Sequence, residues 1–320
     1  MLPQSRPDVS FDQVLRVLRA GPAAHAGAVA ELESVLARHH DARVAVATDR
    51  GLDALRVVLD AMALRPGDEI VVPTFTYPAV ADVVLAAGGM PVLADASLQH
   101  FNMGPADAAA ALSPRTRAIV ATHLFGSPAE ADELAALAHR HGCLLIEDCA
   151  QALDCHWRGR PVGSFGDAAI FSFGFEKHAA AGRGGALLVR APELQSALAS
   201  RLEQMPQVTP GEDRDHLRCL LLRLGMCSRA LYPGWLSDEA WNDLLAGAAA
   251  LRSHLESGIE GTAPWEEVWA RALPLLQRTV RNGRGWRVRL DGYLATWQRP
   301  WLKQRPRPAR RMQDQRARMI

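Results

Sequence analysis

From about residue 29 to residue 189 the chain alternates between short, continuously apolar runs and segments with apolar residues at helical spacing. The runs "RVAVAT", "EIVVP", "MPVLAD", "RAIVATHLFG", "CLLIED", "GDAAIFSF" and "GGALLV" read as seven strands. Most are separated by helical segments such as "GLDALRVVLDAMAL", which opens on Gly51, and "PAVADVVLAAG", which closes on Gly88. A strand that is apolar at every position must be buried on both faces, and a mainly parallel sheet covered by helices provides that. The pattern therefore predicts an α/β fold with a seven-stranded, mainly parallel sheet sandwiched by helices. In such sheets ligands bind beyond the carboxyl ends of the strands. The polar residues to weigh are those just after the strands: Asp49 to Gly51, Thr74 to Tyr77, His123, Glu147 to Gln151, and Ser172 to Lys177.

With 320 residues the chain is long enough for a large domain and a smaller region. The net charge of +1 gives no field that points to nucleic acid or a membrane surface. The N-terminus lacks a positive-then-apolar signal pattern, and no apolar run reaches the roughly 18 residues of a membrane span. A cytoplasmic protein with no nucleic-acid or membrane partner is expected. Cys143, Cys149 and Cys155, followed by His156, do not have the spacing of a zinc site, so free thiols and no metal are expected.

Past Val189 the character turns helical, with most of the tryptophans and a final stretch rich in Arg, Gln and Pro. The divisions expected are a large domain over 14–195, a helical region over 196–297 that ends the fold early, and a basic tail of disordered composition over 298–320.

The stretch "FSFGFEKHAAAGRGGALLV" puts a lone lysine, Lys177, in an apolar, glycine-rich connection, where a buried charge is costly. A neutral amine that does chemistry would resolve that cost. The post-strand residues supply what such an amine would need. Asp148 ends an apolar strand, "TFTYP" offers aromatic faces, and Ser172 flanks a sharp turn. The segment from Asp49 runs through Gly51 into a helix N-terminus, a natural anion site. A carboxylate, an aromatic face, an anion site with a hydroxyl and a buried lysine are the groups pyridoxal phosphate (PLP) requires. His123 fits either a lining role or a structural hydrogen bond.

From about Leu18 to Val189 the chain also resembles the DegT/StrS family of sugar aminotransferases, PLP enzymes of fold type I. The matching pieces stand in the family's order: "AVATDRGLDAL", "PGDEIVVPTFTYPAVADVVLAAGGMPVLAD", "FNMGP", "IVATHLFGSPAEADELAALAHRHGCLLIEDCAQAL", "GRPVGSFGDAAIFSFGFEKH" and "GRGGALLV". The resemblance implies that Lys177 is the catalytic lysine to which the cofactor attaches and that Ser172 binds the phosphate. It implies that Asp148 holds the pyridine nitrogen protonated, Gln151 faces the ring's phenolic oxygen, and Tyr77 stacks on the ring. Gly51 and Leu52 match the family's phosphate-cradling Gly-Thr pair.

This chain departs from the family at several of these places. Leu52 replaces the threonine, His178 an asparagine, Arg183 the glutamate of a Gly-Glu-Gly-Gly run, and Leu153 a histidine. In typical members a small domain follows the long Arg-containing helix, so a shortened C-terminal domain is expected. The resemblance implies transfer of an amino group from an amino acid, such as glutamate, to a keto sugar, most often nucleotide-linked, by a homodimer. A cyclitol acceptor and a non-catalytic relative that still binds PLP are the alternatives.

Overall fold

The computed structural model describes residues 13–14, 16–17, 27–175, 177–203 and 205–206. The expected tail over 298–320, and all but the first helical turns of the expected helical region, lie outside the described residues.

Helix α1 (Ala28–His39) leads into β1 (Val44–Thr48) and α2 (Gly51–Ala61). Next come β2 (Glu69–Pro73), α3 (Ala79–Ala86), β3 (Met90–Ala94), α4 (Pro105–Ala111), β4 (Thr116–Thr122), α5 (Ala131–Arg140) and β5 (Leu144–Asp148). A two-strand ribbon, β6 (His156–Trp157) with β7 (Arg160–Pro161), precedes β8 (Ala168–Ser172), β9 (Gly185–Val189) and α6 (Pro192–Glu203). Seven strands form one sheet in the order β1-β9-β8-β5-β4-β2-β3. The neighbours from β8 through β3 are parallel, while β9 runs antiparallel to both β8 and β1. The reason is visible in the sequence: the β8–β9 connection contains no crossover helix, and a parallel return needs one.

The sheet is covered on both faces, and alternate strand residues point to opposite layers. Ile70, Val72, Ala118, Val120, Ile146, Ile170 and Leu187 pack with the buried faces of α2, α3 and α6. Val71, Ile119, Ala121 and Leu145 pack with α4 and α5 on the other side. The expectation of strands buried on both faces fails at one edge. In β3, Met90 and Leu93 are exposed, because an edge strand has a covering helix layer but no neighbour beyond it. The fourth expected strand is also shorter than "RAIVATHLFG": it stops at Thr122, and Leu124–Gly126 form a short 3-10 turn in which Phe125 has a left-handed φ of 54°. Gly88 and Gly142, at the ends of α3 and α5, adopt the positive φ expected of helix-stopping glycines. Among the described residues no helix is long and apolar enough to cross a membrane.

Candidate active site

All the parallel strands end at one edge of the sheet, and β9 begins there. Strand alternation decides which side chains share a side of that edge. Asp148 has the parity of Ile146, Ser172 that of Ile170, and Thr122 that of Val120, all on the layer that carries α2. The β4–β5 register pairs Thr122 with Asp148 and the β5–β8 register pairs Asp148 with Ile170. Asp148 and Ser172 therefore stand on adjacent strands beside the start of α2.

That start is built as a close-fitting cradle. A Cβ placed on Gly51 would lie 2.9 Å from the Ser172 Cβ and 3.0 Å from the Phe171 carbonyl oxygen. One on Gly185 would lie 2.4 Å from the Arg50 carbonyl carbon. Only glycine permits these approaches of loop, helix and strand. Arg50 is extended and offers α2 no side-chain cap, and the Asp53 and Ala54 N–H groups return to the Arg50 carbonyl at 3.0 and 3.2 Å. The Gly51 and Leu52 N–H groups stand ahead of these bonds at the positive end of an 11-residue helix, next to the Ser172 hydroxyl. Leu52 is half-buried and adds no hydroxyl.

Asp148 is buried and ends β5. Burial pushes its carboxyl above the ordinary aspartate range, against the opposing pull of the Ala150 N–H, which donates to Oδ1 at 3.0 Å, and of the nearby Lys177 and His123. Lys177 is half-buried in the β8–β9 loop, where its N–H donates to the Gly174 carbonyl at 3.2 Å. Gln151 accepts the Phe125 N–H on Oε1 at 3.1 Å, which orients the amide with its NH2 as the remaining donor. Tyr77 is 59% exposed. Its neighbour Thr76 ties the loop to the edge through a 3.0 Å hydroxyl contact with Thr122, the residue in register with Asp148. Gly51, Leu52, Asp148, Ser172 and Lys177 thus converge on one edge, with Gln151 and Tyr77 on the adjoining loops.

Glu147, one residue before Asp148, faces the opposite layer and has a different fate. It is fully buried and accepts the N–H groups of Gly163 (2.7 Å), Phe165 (2.8 Å) and Gly166 (2.6 Å), with the Arg190 guanidinium 3.6 Å away. His123 Nδ1 accepts the Ala129 N–H at 2.9 Å, so the ring proton sits on Nε2 and is donated to Glu147 at 3.2 Å. This decides His123: both ring nitrogens are engaged in structure. Desolvation opposes ionisation of Glu147, but His123 and the converging N–H groups outweigh it and hold the carboxyl below the ordinary glutamate range. Cys149 lies against the same cluster, its thiol pushed well up by burial. The trio His123, Glu147 and Cys149 has ligand atoms within 4.8 Å of one another, yet the histidine and carboxylate are already taken up by hydrogen bonds.

One pair at the site is absent from the sequence expectations. Arg183, noted only as a departure, forms an ion pair with Asp49, which is completely buried. The two are 134 residues apart, and only the β1–β9 register, which pairs Thr48 with Gly185, brings them together.

A helix N-terminus that a Cβ would obstruct, an adjacent hydroxyl, a buried carboxylate with a raised pKa and a nearby lysine fit a phosphorylated pyridine aldehyde. Comparison with known proteins agrees. The model of the DegT/DnrJ/EryC1/StrS aminotransferase family matches residues 7–214. The UDP-N-acetyl-3-dehydro-alpha-D-glucosamine 3-aminotransferase of Acidithiobacillus ferrooxidans is 46% identical over 149 residues, which is 46% of this chain and 40% of that protein. The dTDP-3-amino-3,4,6-trideoxy-alpha-D-glucose transaminase of Streptomyces venezuelae is 33% identical over 80% of this chain and 69% of its own length. The crystal structure of DesV from S. venezuelae superposes with a TM-score of 0.54 at 31% identity, covering 79% of this chain and 70% of that one. The chain thus spans less than half of the first of these relatives and about two thirds of the other two. The chain belongs to the DegT/DnrJ/EryC1/StrS aminotransferase family, whose cofactor is PLP.

Proposed function

We propose that this chain is a PLP-dependent transaminase that moves an amino group from an amino acid, glutamate by preference, to the ketone of a nucleotide-linked sugar. The observation that carries the reading is the meeting of a buried Asp148 with Lys177 at the strand edge where Gly51 and Ser172 form an anion cradle. Bound PLP supplies an electron sink that renders the donor α-carbon acidic. The Gly51 and Leu52 N–H groups and the Ser172 hydroxyl hold the phosphate. Tyr77 would cover the ring, and the Gln151 NH2 would be the donor available to the phenolic oxygen. Asp148 holds a proton on the ring nitrogen, because a carboxylate denied water gains most from an adjacent cation. Lys177 would hold the cofactor through its amine and, when free, would serve as the base and then the acid for the proton of the donor α-carbon.

The acceptor class rests on relatives named for UDP- and dTDP-linked sugars. The second reading, a cyclitol acceptor, is favoured by 35% identity over 203 residues to an L-glutamine:2-deoxy-scyllo-inosose aminotransferase of Streptoalloteichus tenebrarius. The working unit is proposed to be a homodimer, with a second copy covering the aromatic patch beside Gln151. There Phe75, Phe101 and Phe125 are 46–68% exposed, with ring centroids 5.7–6.5 Å apart. Light scattering across a dilution series tests this; a monomer that holds PLP at all concentrations refutes it.

The chain has two lysines, Lys177 and Lys303, which makes the central test simple. Borohydride reduction of the PLP-saturated protein and peptide mapping should place the pyridoxyl group on Lys177. Glutamate added before reduction should convert the absorbance spectrum to the amine form. Label elsewhere, or none in folded protein, overturns the assignment; label on Lys177 with a spectrum that glutamate leaves unchanged identifies a non-catalytic PLP binder.

A further inference from the structure

Two aspartates flank the anion cradle, Asp49 just before Gly51 and Asp53 just after, and both are buried. Buried acids beside the seat of a phosphate dianion should weaken it, since charges shielded from water interact strongly. Each is met by an arginine. Arg50 reaches Asp53 through Nε at 3.3 Å and Nη2 at 3.4 Å, long contacts from a side chain 41% exposed. Arg183 pairs with Asp49, and here the side-chain exposures are 13% and 0%. The buried pair is the less screened and so the more consequential. It also joins two loops: Arg183 belongs to the loop that carries Lys177, and Asp49 to the one that opens on Gly51. The backbone locks the same junction, through a bridge between Arg50 and Gly184 and the Gly185 contact with Arg50.

Resting on the cofactor assignment above, we propose that Arg183 is a positioning residue for the cofactor phosphate: it neutralises Asp49 and so lets the Gly51–Ser172 cradle accept a dianion, while tying the Lys177 loop to that cradle. Recognition then falls to the backbone N–H groups and the Ser172 hydroxyl, in a chain whose Leu52 side chain adds no second hydroxyl.

The test compares PLP with pyridoxal, which has the same aldehyde but no phosphate, by titration of the absorbance of the cofactor-free protein. Arg183→Met should weaken PLP about tenfold or more and leave pyridoxal within roughly twofold. Adding Asp49→Asn in the same chain should restore PLP binding. Inorganic phosphate should raise the melting temperature of the cofactor-free wild type and not that of Arg183→Met. An equal loss of PLP and pyridoxal, or a double variant as weak as the single one, overturns the proposal, because a merely structural pair would behave so. If Arg183→Met does not fold, Asp49→Asn alone serves. It should bind PLP more tightly with pyridoxal unchanged, and an unchanged PLP affinity overturns the proposal. A wild type that does not bind PLP on Lys177 removes instead the cofactor assignment on which this rests.

Discussion

Glu147 and Asp148 are adjacent in β5, both carboxylates and both buried, yet they answer to opposite surroundings. Glu147 points into the layer of α4 and α5, where three backbone N–H groups, His123 and Arg190 converge on it. Its pKa is lowered despite burial. Asp148 points to the edge beside α2, where burial outweighs the opposing pulls of the Ala150 N–H, Lys177 and His123, and its pKa is raised. The ionised form of the first carboxylate is favoured by the fold, and that of the second, the one the proposed function uses, is disfavoured. A structural site completes its own hydrogen bonds, whereas a binding site leaves capacity for a ligand.

The sharpest way to break this contrast is Asp148→Asn. The neutral amide cannot keep the ring nitrogen protonated, so transamination should fall by about 10²–10³-fold while PLP still binds. In the cofactor-free protein the same change should raise stability by about 1 kcal/mol at neutral pH, since it removes a poorly compensated buried charge. The sign follows from the raised pKa. The folded state holds the Asp148 proton more tightly than the unfolded chain, so stability falls as the pH rises above the ordinary aspartate range, and Asn abolishes that fall. Wild-type turnover in Asp148→Asn would give the carboxylate another job.

Glu147→Gln should do the reverse, lowering stability by about 3 kcal/mol in urea unfolding, because an amide NH2 would meet backbone donors already aimed at a carboxylate. Glu147 has a lowered folded pKa, so its contribution is present above the ordinary glutamate range and lost as the pH falls through the lowered value. A Glu147→Gln protein as stable as wild type would show that the converging N–H groups carry no such weight.

Gly51→Ala tests the cradle itself. With Ser172 Cβ at 2.9 Å and a backbone oxygen at 3.0 Å from the added methyl, a cost of about 1–3 kcal/mol is expected, together with loss of PLP affinity. An unchanged melting temperature and PLP titration would mean that the approach of α2 to β8 relaxes freely. The smallest expected effect is a gain: Leu52→Thr supplies a hydroxyl at the cradle and should tighten PLP by roughly threefold to tenfold, the worth of one hydrogen bond. No change would place the phosphate beyond reach of residue 52.

The strand series was legible because a run such as "CLLIED" needs only its own residues to declare itself, and its last polar residue then falls at the ligand-binding edge. That logic and the family likeness name Asp148, Ser172, Gln151 and Lys177 as candidates, and the structure places Asp148, Ser172 and Lys177 at that edge with Gln151 on an adjoining loop. The antiparallel course of β9 was implicit in a β8–β9 connection without a helix. His123 could not be assigned from the chain, since its two partners, the Ala129 N–H and Glu147, depend on how the loop after β4 folds back. The exposure of Met90 and Leu93 was equally hidden, because nothing in "MPVLAD" says that this strand lies at the end of the sheet.

The sequence by itself therefore determined the layers, the edge where chemistry would gather, and the lysine, serine and carboxylate that stand there. These follow from periodicity and from order along the chain, which are local properties. The tertiary structure decided that Glu147 completes its hydrogen bonds in the opposite layer, with His123 and the Gly163, Phe165 and Gly166 N–H groups, and that Arg183 answers Asp49 across 134 residues. Both depend on strand order and register, and a one-residue shift in register would turn each of these side chains to the opposite face.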